Sequence, residues 1–393
     1  MITPCYVIHK KDLKENIESF ASALKSHWGG NVITGYSVKT NSLPWILKYV
    51  RELGCYAEIV SEDEYDLVEM MGFGRGDVIY NGPIKTRESF FKAIEAGNIV
   101  NLDSERELSW LAEYQGPGEI KAGLRVNFDL ESECPGDTVS GAEGGRFGFS
   151  YEKGGLKAAI ERIKKMDKVR IAGLHMHNST FTRTLKVYRT IARMAVKVAG
   201  EYDLDLEYVD MGGGFYGGLP DKPSYDEYAR VISETLKTGF DPKKTTLIIE
   251  PGASVICGPI DLVTKVLDVK DTVSRRFVVT DGSRIYIDPH MKMKSYFYDL
   301  ELNPPDRKVF PGEQIICGMT CVESDRLIHL QDEPELVPGD KVIYHKAGSY
   351  TMCYSPVFIQ YNPTVYVEEN GEYTVVREKW TAKEYVQKSK WDI

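Results

Sequence analysis

The chain has 393 residues, 42% hydrophobic and 27% charged, an ordinary globular mix that excludes global disorder. At roughly 100–200 residues per domain, two or three domains are expected. Its 49 basic and 58 acidic residues leave a net charge of −9, which argues against a broad nucleic-acid surface. No apolar run reaches the roughly 18 residues of a membrane span. The opening MITPCYVIHKKD lacks a charged-then-apolar signal pattern, so a cytoplasmic protein is expected. Seven scattered cysteines without a C-x-x-C pair remove zinc ribbons and thioredoxin-like motifs and fit free thiols in a reducing compartment.

The opening TPCYVIH reads as a strand able to join either half of the chain. Leu13, Ile17, Phe20 and Leu24 then form one helical stripe. Eight β-branched runs follow as candidate strands: Ile33–Val38, Cys55–Val60, Asp77–Asn81, Asn98–Asp103, Glu119–Asn127, Val169–Met176, Leu206–Met211 and Thr246–Glu250. Between them lie helical segments. Ser42 is the predicted cap of one, with Pro44 in its first turn. Ser104 with Glu107 spells a capping box, and Tyr225–Leu236 is helical with Gly239 near its end. The repeat averages roughly 30 residues, as a βα unit requires. A closed parallel (β/α)8 barrel over residues 11–255 is the predicted fold, with an open doubly wound sheet as the alternative.

After residue 256 the pattern turns to β. Phe277–Thr280, Lys341–Tyr344 and Val365–Val367 are separated by Pro-Gly and Asn-Gly turns. Val365–Val367, Asn370-Gly371 and Tyr373–Val376 predict a hairpin. Only Thr381–Lys388 offers a terminal helix. Residues 256–393 are therefore read as a mostly-β domain, with residues 1–10 as a candidate extra strand.

In a (β/α)8 barrel chemistry sits where strands end. Lys39, Glu58, Asn81, Asp103, Arg125 with Asn127, His175 with His177, Gly212-Gly213-Gly214 and Glu250 fall at successive strand ends. Lys39 follows an apolar strand, where burial would favour imine chemistry; most lysines at a loop start are simply solvated. His175 and His177 share a strand face, but no third ligand lies at comparable spacing, so no metal is expected. Gly212, Gly214 and Gly217 spell G-x-G-x-x-G, yet prolines stand where a dinucleotide helix should begin. The glycines suit a phosphate or a plain tight turn equally. Glu250 follows three apolar residues, a costly place for a carboxylate without a cation or donor. Cys321 taken alone reads as a small core residue.

Tyr36-Ser37-Val38-Lys39-Thr40-Asn41, Gly173-Leu174-His175-Met176-His177, Asp210-Met211-Gly212-Gly213-Gly214-Phe215, Glu250-Pro251-Gly252, Cys321 through Asp325, and Ala347-Gly348-Ser349-Tyr350 carry a resemblance in order along the chain. Together they resemble the alanine-racemase-fold, pyridoxal-phosphate-dependent decarboxylases of basic amino acids. The resemblance implies pyridoxal 5'-phosphate as cofactor, an amino-acid-type substrate and a homodimer with shared sites. It implies that Lys39 binds the cofactor covalently, that His177 stacks on its ring, and that Glu250 pairs with the ring nitrogen. Gly212, Gly213, Gly214, Thr180 and Tyr350 would hold the phosphate, Glu58 would lie near the cofactor, and Cys321 would reach the partner subunit's site as a general acid.

Three departures stand out. Ala253 replaces the arginine that ends the family's E-P-G-R, with Arg146 as a candidate substitute. Val322 replaces the acid that meets a distal ammonium, and Glu323 would point the other way on a strand. Asp288 stands where diaminopimelate enzymes carry an arginine. The expected substrate is therefore neither ornithine nor diaminopimelate but an amino acid or conjugate with a neutral or anionic far end, which Arg284, Lys292 or Lys294 could receive. A decarboxylase is the first reading. A racemase of the same fold and a non-catalytic cofactor-binding homologue are the alternatives; Glu250 counts against the former and the β domain against the latter.

Overall fold

All eight runs predicted as parallel strands form them, within two residues at most ends. The computed structural model describes residues 1–354 and 356–391. Residues 15–255 form one compact unit, and residues 1–14 with those from 256 onward form another. In chain order the first part runs β1 (Cys5–His9), α1 (Lys10–Trp28), β2 (Val32–Ser37), α2 (Pro44–Glu52), β3 (Tyr56–Ile59), α3 (Glu62–Met70), β4 (Val78–Tyr80), α4 (Arg87–Glu95), β5 (Ile99–Leu102) and α5 (Glu105–Ala112). It continues with β6 (Ile120–Asn127), a short β7 (Phe149–Ser150), α6 (Gly155–Ile163), β8 (Val169–His175), α7 (Leu185–Glu201), β9 (Tyr208–Asp210), α8 (Tyr225–Leu236) and β10 (Thr246–Ile249).

The strands close. Their order is β5-β4-β3-β2-β10-β9-β8-β6, and β5 pairs back to β6. All eight neighbouring pairs are parallel. This is the (β/α)8 barrel, and the open-sheet alternative is excluded. Its strands are buried on both faces, which is why they read as continuous apolar runs. The Tyr208 ring fills part of the interior. A Cβ on Gly173 would stand 2.2 Å from that ring, and one on Gly123 would stand 2.2 Å from the hydroxyl.

Local signals mostly hold. The α1 stripe is buried. Glu107 Oε2 accepts the Ser104 N–H at 3.3 Å, and its Oε1 meets the buried Lys85 amine at 3.1 Å. Ser42 does not cap α2; Leu43 is the boundary residue, and its N–H goes to Asn41 Oδ1 at 3.3 Å, so the asparagine takes the donor instead.

The barrel unit ends within α9 (Ala253–Ile256), and the other unit continues with β11 (Ile260–Asp271), β12 (Arg276–Thr280), α10 (Arg284–Ile287), β13 (Phe297–Glu301), β14 (Glu313–Cys317), β15 (Arg326–Gln331), β16 (Lys341–His345), β17 (Thr364–Glu369), β18 (Glu372–Arg377) and α11 (Ala382–Tyr385). Its sheet order is β15-β14-β12-β11-β1-β17-β18, with β16 joining β11 to β13. The opening strand therefore lies between β11 and β17. The predicted hairpin is β17–β18, turning on Asn370 and Gly371 at φ 55° and 83°. The expected terminal helix shrinks to the single turn of α11. An acid–imidazole ladder crosses the sheet. Asp261 accepts from His9 and from His345 at 2.9 Å each, His345 also meets Asp299 at 2.9 Å, and His9 lies 3.5 Å from Glu368. Among the described residues no helix is long and apolar enough to cross a membrane.

Candidate active site

The strand-end residues gather inside the barrel. Lys39 sits on one 3-10 turn directly after β2, and its amine meets Glu58 Oε2 at 2.6 Å. The lysine side chain is 40% exposed, so the apolar burial expected for it is not found; an ion pair to a buried carboxylate takes its place. Glu58, on β3, also accepts from Ser37 Oγ at 2.6 Å and from Asn81 Nδ2 at 3.1 Å. The same Asn81 amide donates to Glu250 Oε1 at 2.5 Å, and its oxygen accepts from Asn101 at 2.8 Å. One hydrogen-bonded chain thus joins Lys39, Glu58, Asn81 and Glu250 across four strand ends.

Residues distant in sequence complete the far side. The ligand-type atoms of His175, Asp210 and Glu250 lie within 4.8 Å of one another, a cluster that takes His175 but not His177 and draws its other two members from other strands. His175 Nε2 stands 3.4 Å from Glu250 Oε2, but both its ring nitrogens lack a hydrogen-bond partner among the described residues. Burial, then the charge of Glu250, pushes the Asp210 carboxyl well above the usual range. Glu250 goes the opposite way: burial opposes its ionisation, but His175, Asp210 and Lys39 hold it below the usual range. Within the pair, ionisation therefore favours Glu250 over Asp210.

His177 follows β8 and is half-buried. Desolvation, then the charge of Arg125, lowers its imidazole to about 3, so the ring is neutral at pH 7. Its Nδ1 accepts the Gly213 N–H at 3.1 Å, which leaves the proton on Nε2. The glycine turn needs all three glycines. Gly212 and Gly214 hold φ 68° and 87°, and a Cβ on Gly212 or Gly213 would come within 2.5 Å of His177 Cβ or 2.3 Å of Glu250 O. Thr180, half-buried on the following loop, forms an isolated antiparallel bridge with Thr138.

Sequence reasoning gave no role to several neighbours. Arg125 pairs with Asp103 at 3.3 Å, and Glu250 and Glu58 act on its charge. Glu64, on α3, accepts the Val60 N–H at 2.8 Å; burial pushes its carboxyl up to about 7, with the charge of Glu58 adding to the shift. It stands in the first turn of α3, where the Ser61 cap accepts its N–H at 3.2 Å.

Cys321 and Tyr350 belong to the other unit. Cys321 lies exposed on the turn between β14 and β15, and Tyr350 holds a left-handed φ of 59°. The segment after Cys321 is a turn rather than the strand assumed for Glu323. Val322 is 44% exposed, and Glu323 pairs with Arg326 at 3.0 Å. Asp325, buried, accepts from Ser283 Oγ at 3.0 Å and Thr320 Oγ1 at 2.6 Å and fixes the turn. Arg284 is not a free cation: it pairs with Asp288 at 3.0 Å, and Asp288 also takes the Lys292 and Met293 N–H groups.

Residues 10–257 match the pyridoxal-binding domain of the pyridoxal-dependent decarboxylases. The chain belongs to that family. It is thus a carboxy-lyase that removes carbon dioxide from an amino acid with pyridoxal phosphate as cofactor. Relatives of this decarboxylase include a probable chloroplastic diaminopimelate decarboxylase of Oryza sativa, 28% identical over 98% of this chain and 79% of the relative. The L-glutamyl-[BtrI acyl-carrier protein] decarboxylase of Niallia circulans is 26% identical over 94% and 90%. The crystal structure of diaminopimelate decarboxylase from M. jannaschii superposes with a TM-score of 0.87 at 23% identity, covering 99% of this chain and 92% of that one. The decarboxylase's site suits its cofactor, which presents an aldehyde, a basic ring nitrogen and a phosphate. The barrel offers an amine at Lys39, a buried carboxylate at Glu250 and a neutral ring at His177. The Gly214 and Phe215 N–H groups of the glycine turn donate to no group among the described residues.

Proposed function

We propose that Lys39 binds the cofactor covalently, that Glu250 pairs with its ring nitrogen, and that His177 lies against its ring, with Glu58 beside it. Gly212, Gly213, Gly214, Thr180 and Tyr350 hold its phosphate in this reading. The carrying observation is the chain from Lys39 through Glu58 and Asn81 to Glu250, which puts an amine and a charged carboxylate at the ends of one rigid network. When bound, pyridoxal phosphate supplies an electron sink for the carbanion left by departing carbon dioxide. Glu250 keeps a proton on the ring nitrogen, since its charge is maintained by His175, Asp210 and Lys39. Asn81 fixes the orientation of both carboxylates. Glu58 holds the Lys39 ammonium when that amine is released. Cys321, reaching the partner's site in a homodimer, delivers a proton to the carbon that lost carbon dioxide.

The substrate proposed is an amino acid or conjugate whose far end is neutral or anionic, and neither ornithine nor diaminopimelate. Val322 offers no charge to a distal ammonium, and burying that cation unpaired costs several kcal/mol. Glu323, the adjacent carboxylate, lies on an exposed turn beside Arg326. Lys292 and Lys294 remain as exposed cations for an anionic end. The relative acting on a carrier-linked glutamyl group supports a conjugate. Diaminopimelate is the second reading, favoured by the diaminopimelate decarboxylases among the relatives. Measured kcat/KM for diaminopimelate, ornithine, lysine and acid-tailed or conjugated amino acids separates the two. The proposal expects ornithine and lysine to trail the best conjugate by more than 100-fold, equivalent to about 2.7 kcal/mol. Efficient turnover of diaminopimelate establishes the second reading instead.

A further inference from the structure

The family resembled in sequence ends its E-P-G motif with an arginine for the phosphate, and here that residue is Ala253. A dianion held by backbone N–H groups and neutral hydroxyls lacks its strongest available partner, a guanidinium. Another arginine stands at the glycine turn. Arg183 ends the loop between β8 and α7 in a left-handed conformation, φ 49°. Its carbonyl accepts from Tyr228 Oη at 2.6 Å, and the same hydroxyl accepts the Tyr216 N–H at 3.4 Å. Its Nη1 lies 3.5 Å from the carbonyl of Phe215, the residue after Gly214. Its guanidinium rests 5.0 Å from the Tyr216 ring centroid, and the Lys222 amine rests 5.2 Å from the same centroid. Tyr188, which donates to Gly213 O at 3.1 Å, packs edge-on against Tyr228 and closes the brace.

The arginine is thereby held against the turn through both its backbone and its side chain. No carboxylate pairs with it among the described residues, so its charge is unspent. Arg146, the substitute considered from sequence, is placed differently: it is exposed and lies over Phe147 at 4.1 Å, a ring that Arg125 shares at 4.7 Å. We propose that Arg183, aimed by Tyr216, is the cation that binds the cofactor's phosphate in place of the arginine missing at Ala253. The proposal rests on the reading of the glycine turn as the phosphate site.

The test compares equilibrium binding of pyridoxal phosphate and of pyridoxal, which lacks the phosphate, to the full-length apoenzyme, read by absorbance. The wild-type protein is expected to prefer the phosphorylated form strongly. Arg183→Met should reduce that preference by about 10- to 100-fold, the worth of one charge-assisted contact, while pyridoxal binding stays unchanged. Arg183→Lys should keep part of the preference, and Ala253→Arg should restore it in the Arg183→Met background. Arg146→Met should leave it intact. Full preference in Arg183→Met, or equal loss of both ligands, overturns the role of Arg183 while leaving the glycine turn standing. A wild-type protein without any preference overturns the phosphate site itself, and Arg183 with it.

Discussion

Asn81 spreads one amide across two carboxylates that would otherwise repel each other. Its Nδ2 reaches Glu58 at 3.1 Å and Glu250 at 2.5 Å, while Asn101 holds its oxygen. Glu250 therefore keeps its position through hydrogen bonds and its charge through His175, Asp210 and Lys39. These two properties can be separated. Glu250→Gln retains an oxygen for Asn81 but removes the charge, so turnover should fall by about 100-fold or more at matched cofactor occupancy, equivalent to about 2.7 kcal/mol of barrier. Cofactor content should fall far less, because Lys39 and the glycine turn persist. Equal turnover at equal occupancy would remove Glu250 from the chemistry.

At the scale of elements, the sheet holding β1 and β11 carries its own pH dependence. His9 is raised first by its hydrogen bond to Asp261. His345 is raised despite opposing burial, by hydrogen bonds to Asp261 and Asp299. A histidine whose folded pKa exceeds its unfolded value, about 6.5, stabilises the fold fully below that value. The contribution is lost as pH rises through the raised folded value. Urea midpoints of the purified protein should therefore fall between pH 6 and pH 8.5. Replacing His9 and His345 by glutamine should flatten that slope, and an unchanged slope would show that the ladder does not contribute.

The same scale shows what the sequence makes legible. Barrel strands are buried on both faces, so each is a short apolar run with a polar residue where it leaves the core, and both features survive in one dimension. The hairpin at Asn370-Gly371 is equally local, since its turn demands positive φ at both residues. Helix caps were less secure: Ser42 has the right chemistry, but Asn41 reaches the Leu43 N–H first. Glu323 was misplaced because alternation was assumed where the chain turns. Asn81 and Asp103 were visible only as polar strand ends. Asp210 and Arg183 matter through neighbours far away in sequence, and no local pattern marks such contacts.

At the scale of the whole molecule, the proposed homodimer divides the catalytic set between subunits, Lys39 from one and Cys321 from its partner. Lys39→Ala and Cys321→Ala proteins should each be inactive. Mixed under conditions that let subunits exchange, they should regain activity up to about a quarter of the wild-type level, since half the dimers are then mixed and each has one intact site of two. Exchange without recovery would exclude shared sites.

Every assignment in the barrel depends on where the cofactor is attached. Borohydride reduction of the purified protein, followed by peptide mapping, tests this most directly. The account predicts loss of visible absorbance and a pyridoxyl label on the peptide containing Lys39, absent from Lys39→Ala. A label on any other lysine, Lys85 included, would contradict it.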